Sequence, residues 1–113
     1  MFGTSFGNST SSGGAISGLL DDYPNAAAAY SLRLLKSDYA GALVEIRRES
    51  DDTAKSFYSD SNNELSLTSP DVNGVTLGTW IGSNDGFVRT WYDQSGNSID
   101  FIQATTSEQP KII

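Results

Sequence analysis

The chain has 113 residues, with 14 acidic and 7 basic side chains giving a formal net charge of −7, and it contains neither cysteine nor histidine. That length fits one domain. The composition excludes disulfides, thiolate nucleophiles, the usual zinc sites and imidazole acid–base chemistry, and seven scattered basic residues argue against nucleic acid or an anionic membrane as a partner.

Residues 1–18 carry no charge and are rich in Gly, Ser, Thr and Asn. Such a segment cannot bury enough surface to offset its ordering entropy. It reads either as a disordered leader or as an arm that orders on a partner, with Phe2, Phe6 and Ile16 as apolar anchors. The N-terminus lacks the basic start and continuous apolar core of a secretory signal, so Asn8-Ser9-Thr10 is taken as a chance match to the glycosylation sequon. No apolar stretch approaches the ~20 residues of a membrane span.

Residues 19–113 read as a β-rich module with one helix near its start. Asp21, Asp22 and Pro24 suit a helix N-terminus, Ala26–Ala29 have the best helix propensity, and Tyr30, Leu34 and Leu35 form an apolar stripe. The helix is placed near 24–37, with Gly41 as the stop. The period then changes to two. Leu43–Glu49 places Val44, Ile46 and Arg48 on one face and Leu43, Glu45 and Arg47 on the other, as a strand does. Asp51-Asp52 fits a turn, Lys55–Ser59 a second strand, and Glu64–Thr68 a short third with Leu65 and Leu67 on one face.

Pro70–Gly74 reads as loop. Val75–Ile81 suits either a strand or one buried helical turn. Ser83-Asn84-Asp85-Gly86 is a turn, and Phe87–Tyr92 is the best strand pattern in the chain. Ser95-Gly96-Asn97 turns it toward Ile99–Ala104 as a hairpin partner. Lys111-Ile112-Ile113 has the composition of a further strand.

Acid–base catalysis would have to come from paired carboxylates. The candidates are Asp51/Asp52, Asp85, Asp93 and Asp100, and none has a context that demands a raised pKa. Catalytic residues are therefore expected to be none. Asp93–Asn97 and Asp60/Asn62/Glu64 carry oxygen ligands at alternate positions, but both lack the glycine and glutamate positions of a calcium loop. No metal and no other cofactor is expected. Trp91, Tyr92, Asp93 and Gln94 have the chemistry of sugar sites, namely aromatic faces with a planar acceptor and an amide. The plainer reading gives one ring to the core and Asp93 to the hairpin turn. Arg47 and Arg48 are expected in salt bridges ahead of a carboxylate or phosphate site.

Three strings together are specific. They are Ala28–Leu35 (AAYSLRLL) with Tyr39-Ala40-Gly41, Val44–Asp52 (VEIRRESDD), and Gly86–Asn97 (GFVRTWYDQSGN). In this order they resemble the opening of the catalytic domain of the α-L-arabinofuranosidase B family, a concanavalin-like β-sandwich. The same opening is similar to that of bacteriophage head- and tail-fibre proteins, where Gln103-Ala104-Thr105 and Glu108–Ile112 also fit. The enzyme family places its catalytic carboxylates beyond the stretch matched here and carries early cysteines that this chain lacks. Both departures favour the phage-type relative.

The resemblance implies a mainly β fold with one N-terminal helix: a partial or complete concanavalin-like β-sandwich preceded by an extended arm. The function it implies is a non-catalytic virion structural or attachment protein of head- or tail-fibre type. Its partners would be other virion proteins through the arm, further copies in a homo-oligomer (a trimer is the fibre-type form), and a cell-surface glycan. No nucleic acid and no membrane partner is expected. The alternative is an extracellular carbohydrate-binding module, or a fragment of a secreted arabinofuranosidase-like protein.

Overall fold

A computed structural model describes residues 18–113. The anchor residues Phe2, Phe6 and Ile16 lie outside these described residues. In chain order the elements are a single helical turn α1 (Leu19–Asp22), strands β1 (Val44–Arg48) and β2 (Ala54–Phe57), helix α2 (Leu77–Ile81), strands β3 (Gly86–Trp91) and β4 (Phe101–Ile102), and a 3₁₀ turn at Thr106–Glu108. The described strands form one antiparallel sheet in the order β2-β1-β3-β4. The remainder is mostly irregular chain, so the fold is mainly strand and coil around an open sheet.

The period-two reading holds within β1, where Val44 and Ile46 are fully buried, but Leu43, expected on the opposite face, is buried in the same core just before the strand. They join Phe57 of β2, Val88 of β3, and Leu77, Trp80 and Ile81 of α2 in one apolar core. Phe57 and Trp80 pack with ring centroids 5.4 Å apart. Burying side chains of this size stabilises by roughly 1.5–3 kcal/mol each.

Strict alternation fails in β3. Glu45 pairs with Thr90 but Ile46 pairs with Val88, so Arg89 is left opposite no residue. This bulge brings Val88 and Trp91, three positions apart, onto the core face. Phe87 and Thr90 take the other face. There the Arg47 guanidinium lies 4.8 Å from the Phe87 ring centroid, and Thr90 Oγ1 donates to Glu45 Oε1 at 2.8 Å.

The ambiguous stretch Val75–Ile81 resolves as helix. Thr76 caps it, its hydroxyl accepting from Thr79 N. The hairpin after β3 forms, with Thr90 facing Ile102 and Trp91 facing Phe101. The first half of β3 pairs on the same side with the chain end: Val88 N donates to Pro110 O, and Ile112 N to Gly86 O. Ile112 and Ile113 pack against the core.

Two expectations are corrected. Glu64–Thr68 is no strand. It makes one isolated bridge, Glu64 to Arg33, and its pattern splits, with Leu65 packed on the core while Leu67 is exposed. The helix near 24–37 is also absent, and only Leu19–Asp22 is helical in that region. The backbone of 29–35 is bonded to distant parts of the chain. Leu34 N donates to Asn63 O, Leu65 N to Leu32 O, Leu20 N to Leu35 O, and Gln94 N to Ala29 O. A helix would withdraw these groups from their partners. Alanine propensity is a few tenths of a kcal/mol per residue and yields to tertiary pairing.

Much of the acidity builds the loops. Asp60 accepts from Asn62 N and Glu64 N, and Asp71 accepts from Asn73 N and Val75 N, the same i+2 and i+4 pattern. Asp51 accepts from Thr53 N. Each carboxylate satisfies donors that a regular element would otherwise occupy.

Candidate functional site

The Trp91–Gln94 run ends β3 and supplies the polar centre of the module. Its four side chains go different ways. Trp91 is partly buried against the core. Tyr92 pairs its hydroxyl with Ser56 Oγ of β2 at 2.7 Å. Asp93 and Gln94 turn inward and are 5% and 1% exposed. The run therefore does not present four side chains to one ligand.

The Asp93 carboxylate accepts four hydrogen bonds. Oδ1 accepts from Ala29 N at 2.8 Å and Ser95 N at 2.9 Å, and Oδ2 accepts from Ser95 Oγ at 2.8 Å and Ile99 N at 3.0 Å. Burial pushes the carboxyl pKa up, but the donors at Ser95, Ala29 and Ile99 outweigh it and hold it down at about 2. A carboxylate this acidic and this fully bonded is a poor proton donor or base near neutrality. Gln94 reaches the opposite side of the same segment: Leu35 N donates to its Oε1, and its Nε2 donates to Arg33 O, both at 2.8 Å. Asn97 Nδ2 adds a bond to the Ala27 carbonyl. Together these residues clamp the Ala-rich stretch to the end of β3. Gly96 permits the sharp loop, at φ +94°.

The other catalytic candidates are also occupied. Asp51 takes two of the three Arg48 guanidinium nitrogens, Nε at 3.1 Å and Nη2 at 2.7 Å, and the guanidinium holds its carboxyl well below the usual range. Asp52 pairs with Arg47 at 2.9 Å, and Asp85 with Lys111 at 3.2 Å. Arg47 is buried, its Nε donating to Gln109 Oε1 at 2.7 Å. Arg48 lies over the Trp80 ring at 4.7 Å and donates to the Trp80 carbonyl. Both arginines are thus tied to acidic and aromatic groups of the chain. In the Asp60/Asn62/Glu64 group, Asp60 is bonded to its own loop and Glu64 to Arg33. Among the described residues, no cluster of three or more acidic side chains is placed to hold a metal ion.

Beside the clamp lies an open cavity of about 400 Å³, lined in part by Tyr39, Tyr58, Tyr92, Asp93, Ser98 and Asp100. Of the sugar-type residues read from the sequence, Tyr92 and Asp93 border it. Tyr39, in the Tyr39-Ala40-Gly41 string, and Tyr58, in a strand pattern, escape a sequence reading as site residues because they lie far apart in the chain and nothing local pairs them. Tyr39 is fixed at its tip, donating to Ala42 O at 2.7 Å. A Cβ at Gly41 would sit 2.5 Å from that hydroxyl, so the glycine leaves room for the ring. Burial pushes the Tyr39 phenol pKa up, and the negative groups around it, Asp100 foremost, push the same way. Asp100 Oδ1 accepts from Asp93 N at 2.9 Å, which links the cavity rim to the clamp. Among the described residues that line the cavity, none is Lys or Arg.

No helix among the described residues is long and apolar enough to cross a membrane. No protein-family model matches the chain, and neither a curated protein nor a solved structure matches it.

Proposed function

We propose that this chain is a non-catalytic structural or attachment module of a virus particle, of head- or tail-fibre type, anchored through residues 1–18. The observation that carries this reading is the use made of Asp93 and Gln94. The two residues with the richest chemistry in the signature string spend it on the fold: Gln94 on Leu35 N and Arg33 O, and Asp93 on Ala29 N of the same distant segment and on Ser95 and Ile99 of its own loop. That supports a scaffold rather than a catalyst. The finer architecture, a whole or partial concanavalin-like sandwich, belongs to the same proposal and rests on the sequence resemblance.

Assembly with further copies, three in the fibre-type form, has its own support. Phe101 and Ile102 of the short strand β4 are 56% and 63% exposed, and an apolar sheet edge is a surface that assembly would cover. Limited proteolysis tests the anchor. Cleavage of residues 1–18 is expected in the free chain and protection in particles; equal cleavage in both sinks the docking idea. Hydrolysis of an arabinofuranoside by this chain would overturn its non-catalytic character.

A second reading, a glycan-contacting module on a particle or outside a cell, has one specific observation in its favour: the cavity among Tyr39, Tyr58 and Tyr92.

A further inference from the structure

We propose that the cavity between Tyr39, Tyr58, Tyr92 and Asp100 binds an uncharged sugar residue and rejects acidic ones. This deepens the glycan-contacting reading and rests on it. The set differs from the run Trp91–Gln94 marked by the sequence, since two of its aromatic rings come from elsewhere in the chain.

Size comes first. A cavity of about 400 Å³ falls in the range of small-molecule sites, and a single sugar ring fits with space for its linkages. Surface chemistry comes second. Phenol rings offer apolar faces with polar tips, which match the C–H face and hydroxyl rim of a pyranose or furanose. Two of the three rings are held before any ligand arrives, Tyr39 by the Ala42 carbonyl and Tyr92 by Ser56. Binding then orders little side-chain freedom. Asp100 supplies a carboxylate at the rim. Its Oδ1 is engaged by Asp93 N, and the other oxygen, which has no hydrogen-bond partner among the described residues, can serve a ligand hydroxyl as a charge-assisted acceptor.

Charge decides the selectivity. The lining includes the Asp100 carboxylate, with the buried Asp93 behind it, and none of its described residues is basic. The whole chain adds a net charge of −7. A uronic or sialic carboxylate placed here would lose water and meet like charge without a partner. A neutral sugar has no such penalty.

The test uses the full chain and ligand-observed NMR with methyl glycosides of neutral hexoses and pentoses, set against the corresponding uronic acids. Saturable binding is expected for at least one neutral glycoside, with weaker or no binding of its uronic counterpart. Tyr58→Ala should weaken that binding about ten-fold, the loss of one ring contact. Asp100→Asn should weaken it several-fold. Gly41→Ala, which forces the Tyr39 phenol aside, should also weaken it. Backbone amide spectra identify variants that remain folded, and Asp100→Asn, at an exposed position, keeps the test open if Tyr58→Ala does not fold. The proposal is overturned if no neutral glycoside binds, if uronic acids bind better, or if the folded variants bind like the parent. Arm protection in particles without glycan binding would remove this site and leave the attachment reading standing.

Discussion

The β1–β3 ladder has two ends, and they use polar residues in opposite ways. At the Arg48–Gly86 end, charge is answered by charge: Arg47 meets Asp52, Arg48 meets Asp51, and both guanidiniums lie over aromatic rings. At the Val44–Trp91 end, a carboxylate and an amide are answered by their own loop and by three backbone groups from more than 50 residues away, Ala29 N, Leu35 N and Arg33 O. The first end closes a turn that local sequence already favours. The second fixes a segment that has no regular structure of its own, and it leaves tyrosines and Asp100 facing an open cavity. Ion pairs at a rim are worth little, while buried polar groups without partners are costly. The clamp should therefore carry more stability than the arginine end.

The largest expected effect is at Gln94. Gln94→Ala opens a buried hole and leaves Leu35 N and Arg33 O without partners, which should cost about 4 kcal/mol in urea unfolding. A loss below about 1 kcal/mol would show that the 29–35 segment holds without its clamp. Next is Asp93→Asn. Its oxygen can serve one pair of donors, but its NH₂ must then face the other, either Ile99 N or Ala29 N. About 3 kcal/mol is expected.

The pH dependence sharpens the same contrast. The folded Asp93 carboxyl lies at about 2, below the roughly 3.9 of an unfolded aspartate. A depressed carboxyl stabilises the fold above the unfolded value and loses that contribution as pH falls through the folded one. Stability should therefore decline between about pH 4 and pH 2, and Asp93→Asn should flatten part of that decline. Asp51, lowered by Arg48, and Asp60 and Asp71, lowered by their hydrogen bonds, keep a residual slope. An identical slope in parent and variant would mean that Asp93 does not contribute.

The two ends also differed in how far the sequence announced them. Val44 and Ile46 alternate, Asp51-Asp52 marks the turn, and the arginines have acidic neighbours within five residues. Local rules suffice for those features, though not for the reach of Arg47 to Gln109 or of Arg48 to Trp80. Ser83–Gly86 and the hairpin after β3 were legible for the same reason. The helix near 24–37 misled because Ala26–Ala29 report only local preference, while the partners of that stretch lie at Asn63, Asp93 and Gln94. Asp93 could be read as a turn residue, but its reach to Ala29 could not. Nor could the cavity, because Tyr39, Tyr58 and Tyr92 meet only after folding. The bulge at Arg89 gives no sign in the alternation of β3.

At the arginine end, Arg47→Met keeps the packed stem and removes the guanidinium. It leaves Gln109 Oε1 without the donor recorded at 2.7 Å and removes the cation over Phe87. About 1.5 kcal/mol is expected, well below the clamp. A loss larger than that of Gln94→Ala would reverse the ranking of the two ends.

The smallest effect gives the cleanest comparison, because it repeats at one end the chemical change made at the other. Asp52→Asn removes the same charge as Asp93→Asn. Asp52, however, is 73% exposed, and its backbone sits at φ +59°, a conformation that asparagine tolerates as well as aspartate. Its pairing with Arg47 is a rim contact, so the change should cost less than about 0.5 kcal/mol and should shrink further in high salt. The buried partner of that pair keeps Gln109 and Phe87, so little else has to move. If Asp52→Asn costs as much as Asp93→Asn, exposure does not separate the two ends, and the arginine cluster is a second clamp instead of a neutralised turn.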